Sequence, residues 1–251
     1  MAIDTPGSPE RASGLATALN VIVAPREAFE TLRIAPTWAW AFIIAAVLMA
    51  IGTVLAFPAS DHANLIMTQH MVAHSTFLAN ATDAQKQKML ADAQNPSLGK
   101  HILGIAISVV FLLIIAAFQA LILLVGNALG GGRASYKQLF CSVMNIAIVG
   151  TGLMWVVLGI ITILRGPATF SSPADLIGAV PGLGYIAGSA SAGTATFLAA
   201  INIFTVWSAV LMATAMLIVA RVSKPIAYSF AALILVLGAG VPALLAGMIP
   251  K

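Results

Sequence analysis

Charge is what this 251-residue sequence has least of: 12 Lys/Arg and 8 Asp/Glu make up 8% of it, against 60% apolar residues. A soluble globular domain carries about 25% charged and about 45–50% apolar residues. So few charges cannot cover a water-facing surface, which excludes a soluble enzyme, a nucleic-acid-binding domain and a disordered chain. The net charge is only +4 and no run of five basic residues occurs, so no nucleic-acid partner is expected. The single cysteine, Cys141, excludes an intrachain disulfide framework. Residues 1–36 hold no apolar core long enough for a cleavable signal peptide.

What is present is a set of long charge-free runs. They lie between Arg33 and Asp61, Lys100 and Arg133, Lys137 and Arg165, Asp175 and Arg221, and Lys224 and Lys251. Each exceeds the roughly 20 residues that cross about 30 Å of hydrocarbon. Five spans are expected, at about 37–57, 102–129, 139–164, 196–220 and 226–249. Trp38 and Trp40 mark an interface at the start of the first. The second is longer than it needs to be and should tilt or project. The stretch Leu176–Gly193 is rich in Gly and poor in bulky apolar residues, which suits a loop or shallow re-entrant segment better than a sixth span. All Asp, Glu, Lys and Arg fall outside these spans.

Basic residues in short loops set the orientation. Arg11, Arg26, Arg33, Arg133, Lys137, Arg221 and Lys224 share one side, which makes the amino terminus cytoplasmic and the carboxyl terminus extracytoplasmic. Ahead of the first span, residues 1–36 form a cytoplasmic amphipathic segment. Leu15, Ala18, Leu19 and Ile22 fall at helical spacing, and Pro25 can open a second short helix with Phe29 and Leu32 on one face. The external loop 58–100 has helical periodicity from Asp61 to Leu78 and a capping box at Thr82–Gln85, with Met89, Leu90 and Ala93 facing inward. It reads as a helical hairpin on the outer membrane face.

Few residues suggest chemistry. His70 and His74 stand four apart, as a zinc pair does on a helix, but the glutamate of a zinc protease is missing and no third ligand is fixed by spacing, with Asp61, His62 and His101 as the candidates. Two solvated histidines are the expectation, with no metal and no cofactor. The spans hold no acid or base, which proton-driven transport and intramembrane proteolysis generally need. They do hold Gln119, Asn127, Asn145 and Asn202, whose amides should bond to other helices or line a solute path. Gly126/Gly130, Gly104/Ser108 and Ala209/Ala213 have the spacing of close helix packing, within the chain or between copies. Gly130-Gly131-Gly132-Arg133 lacks the Gly-Lys-Ser/Thr ending of a phosphate loop, and it reads as a helix stop and tight turn.

Three segments carry a resemblance. Leu129-Gly130-Gly131-Gly132-Arg133-Ala134-Ser135-Tyr136-Lys137-Gln138-Leu139-Phe140 resembles the turn between the second and third spans of the YIP family, the Ypt/Rab-interacting proteins and their bacterial relatives. Ile201-Asn202-Ile203-Phe204-Thr205-Val206-Trp207-Ser208-Ala209-Val210-Leu211 resembles that family's start of span four. Pro25-Arg26-Glu27-Ala28-Phe29 is similar to its Pro-x-x-x-Phe segment before span one. The resemblance covers about residues 15–245. It implies an all-α, five-span membrane protein, with the bacterial-type members the nearer match by the short amino terminus. Asn202 stands where the family often carries an acid. The Asp-Leu-Tyr-Gly-Pro motif of eukaryotic members is absent, so a Rab partner is not implied.

The expectation is therefore an all-α polytopic bundle in the inner membrane, residues 37–251, acting as a non-enzymatic scaffold that offers its cytoplasmic face to a protein partner. Pro25, Phe29, Gly131, Gly132, Tyr136 and Lys137 would form that face. The two glycines would shape the turn, Tyr136 would anchor at the interface, and Lys137 would meet lipid headgroups or a partner. The competing reading is a transporter component or lipid pathway, carried by Gln119, Asn145, Asn202 and the segment 178–193. The sequence leaves the partner's identity open, and with it whether the chain forms homo-oligomers.

Overall fold

The structure, a computed structural model, describes residues 13–74, 78, 80–188 and 190–248. Arg11, Lys251 and Ile249, which entered the orientation and span expectations, lie outside the described residues. The described chain is helical; its one β-type contact is an isolated bridge between Gly182 and Asn202.

Two short helices come first, α1 (Gly14–Val23) and α2 (Pro25–Ile34), capped by the Ser13 hydroxyl and opened by Pro25 respectively. Five long apolar helices follow. The first is α3 (Ala39–His74), and the second, α5 (Leu98–Leu129), is reached through α4 (Asp83–Gln94). The third runs from Tyr136 to Arg165 as α6 (Tyr136–Ala147), one π-helical turn at Ile148–Leu153, and α7 (Met154–Arg165). After α8 (Pro173–Gly178) and α9 (Ala192–Ala200) comes α10 (Ile203–Ala215), extended by a π-turn to Ala220. The last is α11 (Lys224–Gly247).

The side chains are sorted the way lipid sorts them. On α3 the buried positions are Ala41, Ala45, Met49, Gly52, Ala56, Ala59 and Ala63. Ile43, Val47, Ile51 and Val54 point outward, each about half exposed. Water would reverse that order. In a bilayer large apolar groups gain nothing by leaving the lipid, so small residues take the interior, where backbones can approach. At Gly52 a Cβ would overlap the backbone of Trp155 on α7, so this pair packs in near-contact.

Two expectations change and one gains detail. First, α3 does not stop at Pro58. It runs through that residue to His74, because Ala59 and Ala63 beyond it pack with Leu158, Phe170 and Leu176 in a second core, which outweighs the one backbone bond proline removes. The capping box of Thr82 and Gln85 opens α4, which packs back on α3, so the hairpin is made by the tail of α3 and α4. Second, α1, expected as an amphipathic helix on the membrane surface, packs on the bundle through Thr17, Ala18 and Val21 and leaves its larger stripe outward. Leu15, Leu19, Ile22 and Val23 stay exposed, Val23 by 79%, since the small residues allow the close approach and the bulky ones are satisfied at an acyl-chain boundary.

Third, the stretch expected as one span at 196–220 is broken. α9 and α10 both pack along α11. Gly193 at the start of α9 lies against Ala243 and Gly247, and Gly130, in the turn that Ala220 joins, lies against Val222 near the start of α11. The pair therefore follows α11 antiparallel, with an interruption at Ile201–Asn202. The break frees the Ile201 carbonyl and the Ile203 amide. The segment 181–183 answers both: Leu183 N–H donates to Ile201 (2.9 Å) and Ile203 N–H donates to the Pro181 carbonyl (3.1 Å). Irregular backbone at membrane depth persists only where such partners exist. The Gly-rich segment 176–193 forms no long helix; it folds in to complete the broken one.

Candidate functional site

The bundle has two ends. The basic end carries α1, α2, the Gly-rich turn and the α10–α11 connection; the other, the loop end, carries residues 61–97.

At the basic end, Pro25 occupies the first turn of α2, where its missing N–H costs nothing. Phe29 and Leu32 are fully buried beneath it. The turn from α5 to α6 is held by several bonds. Gly131 has φ +64°, a conformation glycine adopts without strain. Gly132 leaves no room for a Cβ, which would overlap Asn127 Oδ1 and come within 2.7 Å of the Ala220 carbonyl. Ala134 N–H donates to Asn127 Oδ1, and Asn127 Nδ2 donates to the Ala134 carbonyl, each at 3.1 Å. Arg133 N–H donates to Ala220 (3.1 Å), and Gln138 Nε2 donates to the Arg33 carbonyl. The Ser135–Gln138 capping box starts α6. Tyr136 is partly exposed, with its hydroxyl 3.4 Å from the Ala117 carbonyl. Lys137 is exposed beside it.

These bonds tie three separate stretches of chain into one plate. Arg26, Arg133, Lys137, Arg221 and Lys224 are exposed on it, and among the described residues none is in a salt bridge. Arg221 ends the fourth span in the left-handed region, φ +58°, which turns the chain sharply into α11.

The four intramembrane amides divide into two groups. Asn127 and Asn145 belong to the basic end; Asn145 Nδ2 donates to the carbonyls of Thr37 (3.0 Å) and Cys141 (2.7 Å). Asn202 and Gln119 line a cavity of about 290 Å3 between α5, the third span, α9, α10 and α11. Asn202 caps α10: its Oδ1 accepts from the Phe204 and Thr205 amides, and its Nδ2 meets only the Met154 sulfur, at 3.8 Å. Asn145 is not among the lining residues, so the amides do not form one continuous path.

Two features of the cavity escaped the sequence reading. Ser208 is 8% exposed, and its hydroxyl has no partner. The π-turn Ile148–Leu153 places Gly150 against that hydroxyl. A polar Asn202-Ile203-Phe204-Thr205 capping pattern inside an apolar run was the available signal for the break. Nothing in the sequence marks Ser208 apart from its neighbours.

At the loop end the histidines do not converge. His101 Nε2 meets Asp61 (3.1 Å) and its ring stacks on Phe57, while His62 Nδ1 meets the Phe170 carbonyl (3.0 Å). His70 and His74 have ring centroids 4.6 Å apart. Among the described residues no three His, Cys, Asp or Glu side chains are placed to share a metal ion.

Fold and site together define a multi-pass, all-α membrane protein of five spans, one of them discontinuous. The chain matches the model of the Yip1 domain over residues 19–245, and it belongs to that family. No curated protein and no solved structure matches it.

Proposed function

We propose that this protein is a non-enzymatic membrane scaffold whose basic end faces the cytoplasm and holds an acidic protein partner. The observation that carries the reading is the plate itself. Asn127, Gly132, Arg133 and Gln138 lock the interspan turn to Ala220 and Arg33, while five exposed cations on it have no internal acid partner. A rigid array of unpaired charge presents the same surface to every encounter. That reduces the ordering cost of binding and steers an oppositely charged partner. The excess of Lys/Arg at this end also supports a cytoplasmic position, by the rule that governs short loops.

The roles follow from position. Phe29 and Pro25 fix α2 under the plate; Gly131 and Gly132 shape its turn; Tyr136 and Lys137 stand at its surface. Residues 1–36 then form the amphipathic cytoplasmic segment, residues 37–251 the membrane domain, and the bacterial inner membrane is its location.

The test is affinity purification of the full chain from its native membrane in mild detergent, beside an Arg133→Glu/Lys137→Glu double variant. Protein co-purifying with the unaltered chain and lost from the variant supports the scaffold. Recovery of no partner, or of the same partners by both, refutes it.

A further inference from the structure

The broken fourth span and the cavity beside it point to a binding site that the scaffold reading does not use. We propose that this cavity binds a neutral single-chain alcohol dissolved in the hydrocarbon layer, its chain against the apolar wall and its hydroxyl held by Ser208.

The first argument is depth. Gly150, which abuts the Ser208 hydroxyl, lies at the midpoint of the third span, Tyr136–Arg165. At about 1.5 Å per residue it is about 21 Å from either end. The interruption at Ile201–Asn202 falls about a third of the way along the 192–220 segment, and the lining residues of α5 and α11 come from the middle of those helices. At about 1.5 Å per residue Ser208 is about 18 Å from Ala220 and lies near the bilayer midplane, with Asn202 nearer the loop end. Discontinuous helices at that depth are the usual way a membrane protein exposes polar groups to a ligand, and π-turns mark functional positions inside helices. Both devices line this one cavity.

The second argument is unused hydrogen-bonding capacity. Of the polar groups on the wall, Thr196 donates to Ala192 and Thr205 to Ala200. Asn202 Oδ1 is occupied twice by α10 amides. What remains is the Ser208 hydroxyl, buried with no partner, the Asn202 Nδ2, which has only a thioether sulfur, and the half-buried Gln119 amide and Thr151 hydroxyl; of these only Ser208 is a fully buried group without any partner. An unpaired buried polar group costs about 1–3 kcal/mol, and in lipid no water relieves it. Ser208 can accept and donate, and Asn202 Nδ2 donates. A ligand hydroxyl, itself donor and acceptor, satisfies Ser208.

The third argument is charge and size. No lining residue is charged, and an ion at this depth costs several kcal/mol, so the ligand is neutral. A phospholipid keeps its polar ester at the interface and cannot bring it to the midplane. At about 30 Å3 for a water-sized group, 290 Å3 holds about ten methylene-sized groups. The mouth lies between α5 and α11, where Ile115 is both exposed and part of the lining, as is Gly238. A ligand enters sideways from the lipid and never crosses the headgroups.

The experiment uses the full-length protein in phosphatidylcholine nanodiscs and a diazirine-bearing 1-decanol as photoprobe, with unlabelled 1-decanol or decane as competitor. Labelled peptides are expected from 112–119 and 231–242, with 1-decanol competing more strongly than decane. Ser208→Ala should weaken 1-decanol competition about fivefold and leave decane unchanged; no protein bond is lost, so folding is not at stake. Gly238→Phe should suppress labelling by filling the mouth, since a Cβ there meets nothing within 4 Å. Labelling confined to lipid-facing positions, or undiminished in Gly238→Phe, would overturn the site. Equal competition by decane and 1-decanol, or no effect of Ser208→Ala, would overturn the alcohol. None of these outcomes touches the scaffold, which is read by co-purification.

Discussion

Replacing Asn127 with leucine tests whether the interspan plate is held by specific bonds or merely by packing. Leucine keeps the branched shape and removes both polar atoms. Asn127 is 6% exposed and its partner Ala134 is 7% exposed, so the substitution strands the N–H and the C=O of Ala134 together. Full desolvation of two such groups would cost about 2–6 kcal/mol. Average hydrogen bonds inside membrane proteins are worth nearer 0.6 kcal/mol each, which sets a floor of about 1 kcal/mol. The turn lies at the end of its helix, where water can reach part of the exposed backbone, so about 2 kcal/mol is expected. That is roughly a thirtyfold shift in the folding equilibrium. The control is Gln119→Leu: Gln119 is half-buried on the cavity wall and makes no hydrogen bond among the described residues, so its loss should cost less than about 0.5 kcal/mol. Reversible unfolding in mixed micelles with rising dodecyl sulfate measures both. An Asn127→Leu protein within 0.5 kcal/mol of the unaltered chain would refute the account of the plate, as would an equal cost at Gln119.

The same assay reads the first of three further expectations. Phe29→Ala should destabilise by about 3–5 kcal/mol, because it empties a fully buried aromatic site, whereas Tyr136→Phe gives up only a long, exposed contact and should stay within about 0.5 kcal/mol. Gly52→Leu should prevent α3 from docking on α7, since even a Cβ overlaps the Trp155 backbone, while Gly104→Leu, with nothing within 4 Å of its Cβ, should be neutral; recovery of folded Gly52→Leu protein by size-exclusion chromatography would contradict the packing. Thr82→Ala removes one half of a capping box and should cost about 1 kcal/mol, seen as faster hydrogen exchange in α4 alone.

How much of this was readable in the sequence depended on whether lipid or neighbouring chain decides the outcome. The five long helices, the Gly-rich turn and the burial of Phe29 and Leu32 follow from rules local to each segment: apolar length, glycine geometry, helical spacing. The apolar stripe Leu15, Leu19 and Ile22 was legible as that of a surface helix, but the small residues Thr17 and Val21 that dock α1 on the bundle were not, because nothing in their spacing marks them. Pro58 misled for a related reason. Proline ends a helix when nothing else holds it, and here Ala59 and Ala63 are held by Phe170 and Leu176, residues more than a hundred positions away. The break at Ile201–Asn202 was partly legible. Its cap, Asn202 with Thr205, is a local pattern, but the segment 181–183 that makes the break tolerable is a tertiary partner no periodicity reveals.

The division among the amides bears on function more than their number does. A chain with so little charge must satisfy every polar group it places in lipid. Asn127 does so with both its polar atoms and Asn145 with its nitrogen, by bonding backbone at the basic end, while the Asn145 Oδ1 is buried without a partner. Asn202 spends its oxygen capping α10, and its amide nitrogen is left with only the Met154 sulfur where the fourth span is interrupted. Had the break been only a packing accident, an unbroken helix would remove the need for a cap, for the inserted 181–183 loop and for an unpaired serine. The chain instead supplies the cap and the loop and leaves the serine open. The polar groups that remain unanswered, rather than those that are answered, are where a ligand has something to contribute.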